Sequence, residues 1–239
     1  MAAPAAVAAL RAAGLAGLLG LVALGATGIV SGFLERSGTS TAEETRTVTA
    51  LDVETGTGDV TVRVAPAGSP VRYTAVRHWA FGEPTTSGAL DAGTLRLRST
   101  CGGGGLFGRC SVDWTVSVPV ATTVTLSTGT GDVRVTGTSG GVAVSTGTGD
   151  VDLRALTAKA VTVETGTGDV RLRADAAPDR VEVTTGTGDV DLRVPGTTSY
   201  RVTGDSGPGD RTTRVPRSDA STHVIQVDTG VGDVLVAAT

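Results

Sequence analysis

The chain has no asparagine, and Lys159 is its single lysine, so its basic charge is almost wholly arginine. That skew reflects nucleotide composition rather than chemistry. The formal net charge is -4 over 239 residues, and a balance this small gives no ground for a nucleic-acid partner. Aromatics are scarce at 3%, while Gly, Thr and Val abound; the combination is that of an all-β chain with many turns. His78 and His223 are the only histidines, far apart and with no acid or nucleophile at motif spacing, so they read as surface residues. Cys101 and Cys110 are the only cysteines. Two thiols without a nearby histidine do not make a metal site, and outside the cell they are expected to pair, stapling the glycine-rich loop between them.

One long apolar run is present. Residues 12–34 are uncharged, with Arg11 before them and Glu35 and Arg36 after. The length suits one transmembrane helix, and the positive-inside tendency puts residues 1–11 in the cytoplasm and everything after the helix outside. A cleaved signal peptide with a small-residue site at Ala23-Leu24-Gly25 is the competing reading. The run exceeds a typical signal core, which favours an uncleaved anchor. The expected location is therefore the plasma membrane, single-pass, with residues 35–46 as a polar linker and residues 47–239 as an extracytoplasmic domain.

That domain is organised by a repeat. Thr-Gly-Thr-Gly-Asp-Val recurs with its aspartate at Asp59, Asp132, Asp150, Asp169 and Asp189, and worn copies end at Asp210 and Asp233. From Asp132 the spacings are 18, 19, 20, 21 and 23 residues, and a period near 20 marks a solenoid. Apolar residues alternate on both sides of each corner, as in Val161 and Val163 before it and Val170 and Leu172 after it, which is strand periodicity. The glycines between supply a tight turn. One such coil cannot bury its own apolar face, so coils stack and identical positions become vertical columns. Two residues after the repeat aspartate the column reads Arg134, Asp152, Arg171, Asp191, an alternation that suits parallel, in-register coils.

The period breaks between Asp59 and Asp132. Residues 65–120 read as irregular strands near 71–77, 94–98 and 111–118, the last two forming a hairpin around the cysteine loop. Trp79, Phe81, Phe107 and Trp114 fall in or beside this insert; they are a binding patch or, by preference, a cap on the open end of the core. The coil near Asp210 has Gly204 in place of an inward valine and Arg211 where another belongs, and reads as a loosened turn. The final copy ends the chain, so its strand edges are a candidate surface for self-association.

Gly137 to Gly141 spells a nucleophile elbow and Gly103 to Gly108 a dinucleotide fingerprint, yet neither has the strand-turn-helix setting that gives such motifs their chemistry. The column of seven corner aspartates, Asp59, Asp132, Asp150, Asp169, Asp189, Asp210 and Asp233, either binds calcium or, by preference, has each side chain close its own turn. Arg154, Arg173 and Arg193 form an outward row four residues after the aspartates, with Arg63 and Arg214 in equivalent places. The row is a candidate contact for an anionic wall polymer or lipid headgroups; alternatively its arginines answer acids such as Glu164 and Glu182. No cofactor is expected.

Taken with the Cys101 to Cys110 loop, the following Ser111-Val112-Asp113-Trp114-Thr115-Val116-Ser117-Val118-Pro119 and the N-terminal anchor, the repeats make the chain resemble the bacterial putative adhesin family. This is the domain of unknown function forty ninety-seven, of β-strand-repeat type, and the resemblance runs from about residue 47 to the end. It implies a parallel β-solenoid on the cell surface with no assigned activity, and it carries over no functional residues. The expected function is a non-catalytic, adhesin-like envelope interaction module with a protein or wall-polymer ligand. The alternatives are a polysaccharide-acting β-helix enzyme and a calcium-binding or self-assembling scaffold.

Overall fold

The computed structural model describes residues 35–102 and 109–239. The expected anchor at residues 12–34, its alternative as a signal peptide, and Phe107 lie outside the described residues. Among the described residues there are strands and turns and no helix long and apolar enough to cross a membrane.

The first described strand is β1 (Arg36–Glu44), followed by β2 (Ala50–Thr57) and β3 (Val60–Val64), the first repeat coil. The irregular region holds β4 (Val71–Trp79), β5 (Thr85–Asp91), β6 (Thr94–Thr100) and β7 (Cys110–Val118). Four regular coils follow. They are β8 (Thr123–Thr130) with β9 (Val133–Thr136), β10 (Val142–Thr148) with β11 (Val151–Leu156), β12 (Ala160–Thr167) with β13 (Val170–Ala174), and β14 (Arg180–Thr187) with β15 (Val190–Val194). The worn coil is β16 (Arg201–Thr203) and β17 (Arg211–Arg214), and the last is β18 (Val224–Val231) and β19 (Val234–Ala238).

Each coil puts one strand into each of two facing sheets. Sheet A has ten strands in the order β1-β4-β7-β3-β9-β11-β13-β15-β19-β17, and sheet B has nine in the order β16-β18-β14-β12-β10-β8-β2-β6-β5. Within the coils the pairing is parallel and in register, Val151 beside Val133 and Val170, and Val161 beside Val142 and Val181. Inward columns of Val, Leu and Ile from the two sheets meet as one core; Val163, Val170, Val183 and Leu192 are all 0% exposed, except Leu172 beside them at 2%.

The corner glycines are demanded by this stacking. Gly149 has φ of 149°, and a Cβ on it would sit 2.0 Å from the carbonyl oxygen of Gly131 one coil below; a Cβ on Gly147 would sit 2.6 Å from that of Gly129. Both corner glycines are therefore close-approach positions as well as turn positions.

Three expectations change. Residues 35–46 are not a free linker: β1 pairs antiparallel with β4 over nine residues, Arg36 opposite Trp79 through Glu44 opposite Val71. Its central residues, Ser37 to Ala42, are small or β-branched enough to extend beside β4, which supplies the buried Val71 and Ala75. Second, β6 and β7 do not form a hairpin. β6 runs parallel to β2 in sheet B and β7 parallel to β3 in sheet A, so together they are one more coil, placed before the first repeat. Leu95 and Leu97 on β6 and Trp114 and Val116 on β7 fill the core columns, which a hairpin exposed on one face would leave open. The Cys101–Cys110 disulfide, Cα–Cα 5.9 Å, closes the enlarged corner of that coil.

Third, the last copy is not at the end of the stack. β18 lies between β14 and β16, and β19 between β15 and β17. The cause is side-chain chemistry: Ile225, Val227, Val234 and Val236 are at most 1% exposed and can be covered on both sides. In β17, Arg211 and Thr213 occupy the positions beside Val234 and Val236. A coil with a guanidinium facing inward belongs at the end, where Arg211 donates to the carbonyls of Thr203, at 2.7 Å, and Gly204. The loosened turn is thus a polar cap. At the other end Trp114, 3% exposed, packs 6.4 Å from the ring of Tyr73, while Phe81 is 56% exposed.

Candidate functional site

The outer face of sheet A and the corner beside it carry the chain's ordered chemistry. In the corner, the first threonine of each repeat points inward. Thr128, Thr146, Thr165, Thr185 and Thr229 are buried, and each hydroxyl donates to the second-glycine carbonyl of the coil below, over 3.1–3.5 Å. These buried hydroxyls are satisfied by coil-to-coil contacts, as buried polar groups require.

The repeat aspartates form a second ladder. The amide N–H of Asp132 donates to Oδ1 of Asp59 at 2.9 Å, that of Asp150 to Asp132 at 3.0 Å, that of Asp169 to Asp150 at 2.9 Å and that of Asp189 to Asp169 at 3.0 Å. It continues in spatial order, from Asp233 to Asp189 and from Asp210 to Asp233, both at 2.8 Å. All seven predicted aspartates are brought together, but none closes its own turn in this ladder; six of them serve the coil above, and Asp210 ends the column as a donor only. An eighth member, Asp113, starts the column by accepting from the Asp59 amide at 2.9 Å. The signal for it was in Asp113-Trp114-Thr115-Val116, which mirrors Asp59-Val60-Thr61-Val62. It was hidden by the enlarged corner, which replaces the Gly-Thr-Gly spelling.

The second carboxylate oxygen meets arginine in half of the column. Arg134 lies 2.9 Å from Asp132 and 3.7 Å from Asp59; Arg171 lies 2.9 Å from Asp169 and 3.7 Å from Asp150. Beyond Asp169 the equivalent positions are Asp191, Leu235 and Thr212, so Asp189, Asp233 and Asp210 border a groove of about 470 Å³ without that partner. Among the described residues no group of three or more His, Cys, Asp or Glu is arranged to hold a metal ion. The alternating column is in register as expected, Asp152 beside Arg134 and Arg171, and Arg171 beside Asp191. Its arginines nevertheless pair with the corner aspartates rather than with Asp152 and Asp191 beside them.

The arginine row is in register only in part, because a bulge in β11 between Leu153 and Leu156 takes Arg154 out of the pairing with β13. Arg173 stands directly beside Arg193, and with Arg154 and Arg171 they border a shallow groove of about 330 Å³. Arg154 pairs with Asp152 at 2.5 Å and Arg193 with Asp191 at 3.1 Å, each two residues earlier on its own strand. Glu164 and Glu182 cannot be the partners, because they lie on β12 and β14 in the opposite sheet. Hydrogen bonding to Asp152 pushes the Arg154 guanidinium further up. Arg173 has no carboxylate within 4.0 Å among the described residues.

The histidines stay apart. His78 is 3.8 Å from Asp113. His223 is less exposed than expected, since its Nδ1 donates to the Pro178 carbonyl at 2.8 Å and its ring lies against Tyr200.

Comparison with known proteins agrees with this architecture. A putative cell adhesion protein from Clostridium sporogenes superposes with a TM-score of 0.51 at 14% identity, over 85% of this chain and 100% of the other. A putative adhesin from Bacteroides fragilis gives 0.51 at 14% identity, over 85% of this chain and 97% of the other. At this identity the likeness is one of fold. No curated protein matches the chain. The model of the Toastrack DUF4097 family matches residues 35–236, and the chain belongs to that family.

Proposed function

We propose that this protein is a membrane-anchored, non-catalytic module of the cell surface that binds an anionic polymer of the envelope through the outer face of sheet A. The observation that carries the reading is the Arg154, Arg173, Arg193 row. Like charges directly opposite one another in a sheet are unfavourable, and the adjacent column alternates its signs, yet Arg173 and Arg193 are stacked at one strand spacing. Exposed ion pairs such as Arg154–Asp152 and Arg193–Asp191 hold weakly, so their guanidinium groups remain exchangeable onto a ligand. A run of cations on one groove, Arg173 and Arg193 in register and Arg154 next to them, fits a partner whose negative charges also repeat. The adhesin names of the fold relatives are consistent with a surface role.

The test is retention of the full chain, in detergent, on immobilised anionic polymer across a salt gradient. The wild type is expected to elute later than a variant with Arg154, Arg173 and Arg193 changed to Gln. Equal elution of the two overturns the reading.

A further inference from the structure

We propose that β1 is a dimerisation edge, on which a second copy of this chain adds its own β1 in antiparallel fashion about a two-fold axis through Ser40. β1 pairs with β4 on one side only and is the longest of the four sheet edges, nine residues of uninterrupted strand. Among the described residues no strand lies on its other side, whose outward N–H and C=O groups are a template for strand addition.

The sequence of β1 is self-complementary about its centre. Read antiparallel to itself, Arg36 faces the partner's Glu44, Ser37 faces Glu43, Gly38 faces Ala42 and Thr39 faces Thr41. A basic residue at one end and acids at the other give opposite charges across the pair, the favourable cross-strand arrangement, and the two-fold axis counts each such pair twice. Arg36 has no carboxylate within 4.0 Å in its own chain among the described residues. Glu44 and Glu43 already face Arg46 and Arg72, and a carboxylate with its remaining lone pairs can accept from a second guanidinium.

The other three edges lack this property. β17 reads Arg211-Thr212-Thr213-Arg214, so pairing with itself sets arginine against arginine. β16 has three residues, and its start is already covered, Tyr200 donating to the Pro216 carbonyl at 2.9 Å and Ser218 to that of Tyr200 at 3.0 Å. β5 paired with itself about Gly88 sets Asp91 against Thr85 and gains no ion pair. Sterically β1 is also open: beyond the β6/β7 coil sheet A adds β4 and β1 while sheet B adds only β5. β1 therefore overhangs by one strand, and its inner face is the small side chains of Gly38, Ser40 and Ala42. Two such overhangs side by side make sheet A continuous through both copies.

The test is cysteine crosslinking of the full chain in detergent under mild oxidation. Ser40→Cys, on the axis, is expected to give a covalent dimer. A mixture of Thr39→Cys and Thr41→Cys chains is expected to crosslink far better than either alone, because only the mixture places the two thiols opposite each other. Arg36→Glu in the Ser40→Cys background is expected to lower the dimer several-fold, and sedimentation of the cysteine-unmodified chain to give a dimer that Arg36→Glu converts to monomer. A wild type that sediments as a monomer at its highest soluble concentration overturns the proposal. So does crosslinking of Thr212→Cys, at the far edge, as efficient as that of Ser40→Cys.

Discussion

The amide of Asp169 donates to Oδ1 of Asp150 across 2.9 Å, and this contact supplies an acceptor that the backbone does not. In the corner, Gly168 and Val170 donate upward to the carbonyls of Thr187 and Asp189. The N–H between them points down, where the Gly149 carbonyl is taken by the Thr165 hydroxyl. A carboxylate from the coil below fills the gap.

Removing that acceptor leaves a half-buried N–H without a partner. Asp150→Ala is expected to destabilise the protein by about 1–3 kcal/mol, the range for leaving a buried donor unsatisfied, read as a lower urea midpoint. Asp210 ends the column, and among the described residues its carboxylate accepts no coil amide; Asp210→Ala should move the midpoint little. Equal effects of the two would show that the ladder does not hold the coils together.

The glycine positions separate stacking from turn formation. Gly149→Ala forces a Cβ to 2.0 Å from a backbone oxygen at a φ of 149°, and should destabilise by about 4 kcal/mol or more, the range for gross core disruption. Among the described residues a Cβ on Gly56 meets nothing within 4 Å, so Gly56→Ala should change stability by less than about 1 kcal/mol. Thermal melts of the two variants compare them directly.

Replacing Cys101 and Cys110 together by Ser releases the enlarged corner. For a cysteine separation of 9 residues, the chain-entropy account gives a loss of about 2–3 kcal/mol. Hydrogen exchange should show the loss in β6 and β7 first, since they sit near one end of the stack and the regular coils do not depend on them for their corners.

Glu44 offers a pH probe of the β1 end. Hydrogen bonds from Arg46 lower its pKa from 4.5 to about 2. A depressed carboxylate pKa contributes stability that is present above pH 4.5 and is lost as pH falls toward 2. An NMR titration of the Glu44 side chain should therefore have its midpoint near the lower value, moving up in Arg46→Ala. A midpoint unchanged by that substitution would remove Arg46 as the cause.

Calcium distinguishes a structural from a metal-binding aspartate column. With Oδ1 of Asp132, Asp150 and Asp169 accepting amides and Arg134 and Arg171 beside Oδ2, adding calcium and then chelator is expected to leave the melting midpoint in place. A large upward shift with calcium would mean that the ion displaces these partners.

Everything that repeats could be read directly from the residues. The strand pair, the glycine corner, the in-register valine columns and the alternating Arg134, Asp152, Arg171, Asp191 column were legible because each coil solves the same local problem with the same residues, and for the regular coils the neighbour in space is the neighbour in sequence. Where that coincidence fails, the outcome depended on packing in three dimensions: the β6/β7 coil placed before the first repeat, β1 paired as a strand, and the last copy inserted under the worn one. Those placements are set by which coil can be covered on both faces, a competition between Arg211 and Val234 for the interior that no local pattern records. The role of the aspartates was decided there too, because a carboxylate can reach a neighbour's amide only once the coils lie one strand spacing apart.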